Sequence, residues 1–227
     1  MLIIASVLFV ILTGLAMIAY PGGSLYDRAG VHYNFSENFF SDLGTTVTYS
    51  GRPNTASDIL FISALGIIGI ALIYFSKIWR GVSIDSHEMV IPGIMSKIFL
   101  IISGASFIGV AFTPWNLYFD NHVLFVKLAF GSLLGWSIMM IILEARNPKL
   151  RNLLVLNIIY VLMLGYYVWL LFYGPKFGTL DGLEFQAIAQ KIIVYASVIN
   201  LAIQAWGILS FLKRTDFRKT GRQNFYV

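Results

Sequence analysis

The chain has no cysteine and few charged residues, and each shortage removes a class of protein. Without thiols there can be no disulfide and no thiolate metal centre. Charged residues fill 12% of the 227 positions. A soluble domain carries roughly 25%, so water is not the main solvent of this fold. Paired histidines on a helix are missing, and so is any Lys or Arg ahead of the first apolar run. The second absence argues against a cleaved secretory signal and for a retained first helix.

What is present is apolar. Hydrophobic residues make up 58% of the chain and the mean hydropathy is +0.77. The net charge of +5 would suit a nucleic acid, but the basic residues sit in short intervals between apolar runs and in the tail. That is a topology signal, and no nucleic-acid partner is expected. Six runs are long enough to cross a bilayer, for which about 20 residues suffice. They cover approximately 2–20, 59–79, 91–115, 123–143, 153–173 and 185–212. The expected fold is all-α: one polytopic six-transmembrane-helix bundle with a structured outer loop between helices one and two, and a basic tail at 213–227.

Orientation follows from the charges. Lys77 and Arg80 lie between helices two and three, with Lys97 just inside helix three. Arg146, Lys149 and Arg151 lie between four and five, and Lys213, Arg214, Arg218, Lys219 and Arg222 fill the tail. The other side holds only Arg28, Arg52 and Lys176, together with most of the acids. Basic residues stay cytoplasmic. Both termini are therefore expected in the cytoplasm, and the multi-pass protein in the cell membrane.

The first outer interval is too long for a plain connection. Pro21-Gly22-Gly23-Ser24 is turn chemistry, and Tyr26, Tyr33, Phe35, Phe39, Phe40 and Tyr49 suit the headgroup level. The pattern predicts a short interfacial helix over 36–43, capped by Ser36 and ended by Gly44. Asn54 or Thr55 is expected to cap helix two. In the second outer loop Pro114 ends helix three, leaving Asp120 and Asn121 to start helix four with His122 in its first turn.

Polar residues inside the spans are costly unless partnered. Gln186, Gln190, Ser197, Asn200 and Gln204 fall on one narrow stripe of helix six, which should face other helices or a wet cavity. Lys191 points nearly the opposite way, toward Glu184, and should snorkel to the interface. Helix four carries Lys127 with Gly131 and Gly135 on one face, a spacing that permits a close helix contact. Lys127 can reach either headgroups or a buried carboxylate. Ser96, Ser103 and Ser106 can bond back to their own helix, and Asn157 can bridge to a neighbour.

Two groups could carry chemistry. Asp42 with Ser41, set between Phe39, Phe40 and Leu43, would be partly desolvated and so suited to acid–base work. The competing reading is structural, with both side chains bonding backbone amides of the loop. His122 beside Asp120 can move protons near neutral pH. The possible metal ligands His32, His122, Asp42, Asp120 and Glu37 are scattered over two loops, so no metal and no other cofactor are expected. No nucleophile elbow surrounds Ser41. Asn34-Phe35-Ser36 fits a glycosylation acceptor on the outer side.

The run Asn38 to Gly44, the opening Asn54-x-x-Ser57-x-x-Leu60-Phe61 of helix two, and Pro114 and His122 before helix four resemble a widespread prokaryotic six-span family. That family is a domain of unknown function, distantly similar to the DRAM-like eukaryotic membrane proteins, whose loop carries an S-D-T-G variant. The resemblance implies a six-helix bundle with the motif loop folded over its outer end. It implies no established reaction, the distant relatives being linked to lipid remodelling and membrane trafficking. Phe39-Phe40 departs from the smaller or proline residues of the pattern.

The expected function is binding or modification of a membrane lipid at the outer leaflet. Asp42 and His122 would handle protons, with Ser41, Asn38, Asn54, Asp120, Lys127, Gln186 and Gln190 around the ligand. A non-catalytic subunit docking a membrane-protein partner through the loop, or a small transporter using the helix-six stripe, are the alternatives. Against the transporter stands the lack of paired broken helices or an inverted repeat.

Overall fold

In a computed structural model, which describes residues 1–78, 90–175 and 178–223 with side chains to 212, the chain forms six long helices. They are α1 (Leu2–Ala19), α2 (Thr55–Phe75), α3 (Val90–Phe112), α4 (Phe119–Arg146), α5 (Leu154–Tyr173) and α6 (Leu180–Gln223). All six are long and apolar enough to cross a membrane. Their outward faces carry Ile4, Ile18, Ile70, Leu162 and Ile199, all exposed, so the bundle is apolar inside and out, as a lipid solvent demands. The chain is a multi-pass membrane protein.

Each helix packs on its neighbour in sequence, and α6 closes the ring against α1. The α1–α2 loop bonds the α3–α4 link (Asn116 to Thr46, Trp115 to Asp42) and the start of α6 (Ser36 to Glu184), so the α1–α2, α3–α4 and α5–α6 links share one end, the loop end, while the α4–α5 link and the end of α6 define the tail end. At the α2–α3 seam the backbones nearly touch. A Cβ on Gly69 would lie 2.6 Å from the Gly104 carbonyl oxygen, and one on Gly104 would lie 2.5 Å from that of Gly69. The Gly131 and Gly135 pair does not make such a contact. Gly135 seats the ring of Phe99 and Gly131 faces open space, because the partner helix offers an aromatic side chain rather than a second glycine.

Helix boundaries move outward from the hydropathy limits wherever polar residues continue the helix: α2 begins at Thr55 and α6 at Leu180, and the α6 backbone runs to Gln223. The expected basic side chains of the tail lie outside the described residues, as do Trp79, Arg80, His87 and Lys176. Of the α3 serines, Ser103 bonds across to the Ala129 carbonyl on α4 at 3.1 Å rather than back to its own helix. In place of a helix over 36–43, a single 3-10 turn covers Phe40–Gly44. Ser36 does not cap it; the carboxylate of Asp42 does, accepting from the Phe39 amide.

Candidate functional site

The α1–α2 loop is held by its own side chains. Gly22 and Gly23 both have positive φ, at 109° and 90°. A Cβ on Gly22 would fall 2.3 Å from the Gly30 carbonyl oxygen and one on Gly23 2.6 Å from the Ser50 amide, so this turn admits only glycine. Downstream, the Asn34 carbonyl oxygen accepts from the Ser36 amide and its amino group donates to Glu37, which also takes the Ser24 hydroxyl. The Asn34 side chain is thus occupied inside the loop.

Asn54 stands at the α2 N-cap position but does not cap that helix. Its amino group instead donates to the carbonyls of Leu43 and Thr45, each at 2.9 Å, while Ser57 donates to Leu43 at 3.0 Å. These bonds staple the 3-10 turn onto the start of α2. Asn38, fully buried, donates to the Gly23 carbonyl and to Asp42 Oδ2, both at 3.0 Å. The amino groups of Asn38 and Asn54 therefore belong to the loop's internal frame, while the Asn54 Oδ1 has no partner.

Asp42 sits at the centre of that frame, 1% exposed. Its Oδ2 accepts from Asn38 Nδ2 and the Phe39 amide, and Oδ1 accepts from Trp115 Nε1 at 3.0 Å. Burial pushes its carboxyl up to about 6, against the opposing pull of the Asn38, Phe39 and Trp115 donors and the charge of Lys191. Lys191 is itself buried, overturning the expectation that it snorkels toward Glu184. Its ammonium donates to the Asn38 and Ala187 carbonyls and lies over the rings of Tyr33 and Phe35, 5.4 and 5.0 Å from their centroids. The loop folds over this face of α6, so the position that helical periodicity assigns to lipid is covered by protein. Tyr33 closes the group, donating to the Asn38 and Phe39 carbonyls, and burial raises its hydroxyl well above the usual phenol range.

Beside this frame lies a cavity of about 820 Å³. Its polar wall is made by Ser41, His122, Lys127, Gln186 and Gln190, and its apolar wall includes Phe39, Trp115, Val126, Tyr167 and Leu171. Five of the nine residues singled out from the sequence meet here. The volume and the mix of an apolar lining with a few convergent polar groups are those of a ligand site. The Lys127 ammonium stands 4.5 Å above the Phe172 ring. His122 Nδ1 is bonded to the Thr113 carbonyl at 2.7 Å, which leaves Nε2 as the ring nitrogen without that anchor. Gln186 donates to the Pro175 carbonyl at 3.0 Å, and Gln190 accepts the Phe40 amide at 2.6 Å. The amino-terminal turns of α4 and α6 contribute Phe119, His122 and Leu183 to the wall. A narrower apolar crevice of about 50 Å³ shares Ser41, Val126 and Gln190 with the cavity and is lined further along by Phe61 and Ile68 of α2 and Phe130 of α4.

Asp42 does not line the cavity. It touches the cavity only through Trp115 and Phe39, both wall residues that it holds by hydrogen bonds. Asp120 also stands apart, exposed on the first turn of α4, two residues from His122 and therefore on a different face. Trp115 was not singled out from the sequence, and Lys191 was expected only to snorkel, not to join the site. Trp115 could have been found as the one indole beside Pro114 in a short loop, but nothing in the helical period marks Lys191. Comparison with protein families, characterised proteins and solved structures returns no match to this chain.

Proposed function

We propose that the protein binds a membrane lipid with an anionic headgroup in the cavity at the loop end, and that this end faces the outer leaflet with both termini in the cytoplasm. The observation that carries the reading is the convergence of Lys127, His122, Gln186 and Gln190 on one largely apolar cavity of about 820 Å³. Lys127 suits a phosphate. The Phe61–Phe130 crevice continues the apolar wall between the helices, as an acyl chain requires. Exposed Trp169, Phe172 and Tyr173 near the loop end of α5 fit an interfacial aromatic belt. The charge distribution of the sequence gives the orientation, since the basic residues of the loops gather at the tail end.

The test is phospholipid content of the full chain purified in mild detergent, measured by phosphate analysis and native mass spectrometry. Lys127→Ala should retain about tenfold less lipid, the loss of one charge-assisted contact, and Val126→Trp should exclude it by filling the cavity. Lipid content unchanged in both variants overturns the proposal. A second reading, a partner docked on the loop, has the exposed Val31 and Phe35 in its favour. It requires a stoichiometric protein that co-purifies and is lost when that segment is changed.

A further inference from the structure

At the tail end a second polar group lies inside the bundle, on the far part of the α6 stripe. Glu144, in the last turn of α4, is fully buried. Its Oε2 accepts from Asn157 Nδ2 at 3.2 Å, and that same amino group donates to the Ser137 carbonyl at 3.1 Å. Gln204 of α6 lies next to the Glu144 carboxyl without closing a hydrogen bond of ordinary geometry. Asn200 is one turn away on the same face of α6.

Four buried oxygens in this group lack a partner, Glu144 Oε1, Asn157 Oδ1, Asn200 Oδ1 and Gln204 Oε1, and so do the amino groups of Asn200 and Gln204. Native interiors leave few polar atoms in that state, and each asks for an explanation. The chemistry is consistent in kind. Four hard oxygen donors carry a single negative charge, next to the carbonyl end of α4, where a helix favours positive charge. Among the described residues the Glu144 carboxylate accepts one hydrogen bond, from the Asn157 amide. A divalent ion usually draws on several carboxylates, and among the described residues no group of three or more acidic or histidine side chains occurs.

We propose that Glu144, Asn157, Asn200 and Gln204 form a buried binding site for a monovalent metal cation, between α4, α5 and α6. The site is separate from the loop-end cavity and does not depend on a lipid there. Occupancy ties α4, α5 and α6 together, so the ion should stabilise the folded chain by mass action.

The experiment is thermal unfolding of the full chain in detergent, titrated with lithium, sodium or potassium chloride at ionic strength held constant with choline chloride. At a hundredfold excess over the dissociation constant, the ion that fits should raise the midpoint by roughly 5–10 °C. Glu144→Gln should abolish the rise. Gln204→Ala, which keeps the carboxylate, should shift the concentration dependence at least tenfold and serves if Glu144→Gln does not fold. No rise with any of the three ions in the wild-type chain overturns the proposal. So does a rise that persists unchanged in the variants, because the ion would then bind elsewhere.

Discussion

Among the described residues two carboxylates are fully buried, one at each end of the bundle, and their surroundings differ. Asp42 accepts from three donors and has the Lys191 ammonium nearby, anchored on the carbonyl of its neighbour Asn38. Glu144 accepts from one amide and keeps an oxygen with no partner. The α6 stripe divides the same way. Toward the loop end, Gln186, Gln190 and Ser197 reach Pro175, Phe40 and Tyr160, whereas Asn200 and Gln204 toward the tail end make no hydrogen bond. A buried polar group with its partners complete is architecture; a buried carboxylate oxygen without one asks for an explanation. The catalytic reading of Asp42 weakens on that comparison, and the interest moves to the cavity beside it and to Glu144 beneath.

The largest effect should come from removing the complete carboxylate. Asp42→Ala strands three donors and the Lys191 charge in a dry frame, at a cost of about 3–5 kcal/mol. Limited proteolysis should then cut the 21–54 segment readily, where the wild type resists. Asp42→Asn should fall between the two. Its oxygen can keep Asn38 and Phe39, but its amino group then faces the Trp115 N–H.

A smaller and reversible effect should follow from pH. The Asp42 carboxyl is raised to about 6 in the folded loop, above the ordinary carboxylate value. The folded loop therefore holds the proton more tightly than an open one. The stability this contributes is present below about pH 4 and is lost as pH rises through about 6. Trp115 donates to this carboxyl, so its fluorescence should change with a midpoint near 6. The transition should vanish in Asp42→Asn and in Trp115→Phe. A flat pH response in the wild type would mean that the carboxylate keeps its charge throughout.

The fold was legible in the sequence because each span is written in composition: a run near 20 apolar residues means a helix in lipid whatever its neighbours do. The cavity was partly legible for the same reason, since Lys127, Gln186 and Gln190 stand out as polar residues in apolar runs. Lys191 was not. Periodicity tells which residues share a face of α6, but a covering loop turns a lipid-facing position into an interior one, and coverage is a long-range property. Asn38 and Asn54 were visible as polar loop residues, yet whether an amide meets a ligand or a carbonyl depends on where the backbone returns. Glu144 fell just past the hydropathy limit of its span at residue 143 and so looked like the start of a cytoplasmic link. The α4 helix continues to Arg146, which leaves Glu144 inside the bundle.

The smallest effect, and the one that separates the two carboxylates most clearly, is expected from Glu144→Gln in choline chloride. With no cation to bind, the wild-type chain must keep an ionised carboxylate in an apolar interior or hold a proton on it, and both are unfavourable relative to a neutral amide. Glutamine keeps the oxygen that accepts from Asn157 and puts a neutral amino group in place of the unpartnered Oε1. The substitution should therefore leave the midpoint unchanged or raise it slightly, within about 1 kcal/mol of the wild type. A removal of charge that is harmless at one end of the bundle and damaging at the other identifies which carboxylate the fold was built around. A large loss of stability from Glu144→Gln without any cation present would make Glu144 as structural as Asp42, and the contrast between the two ends would be gone.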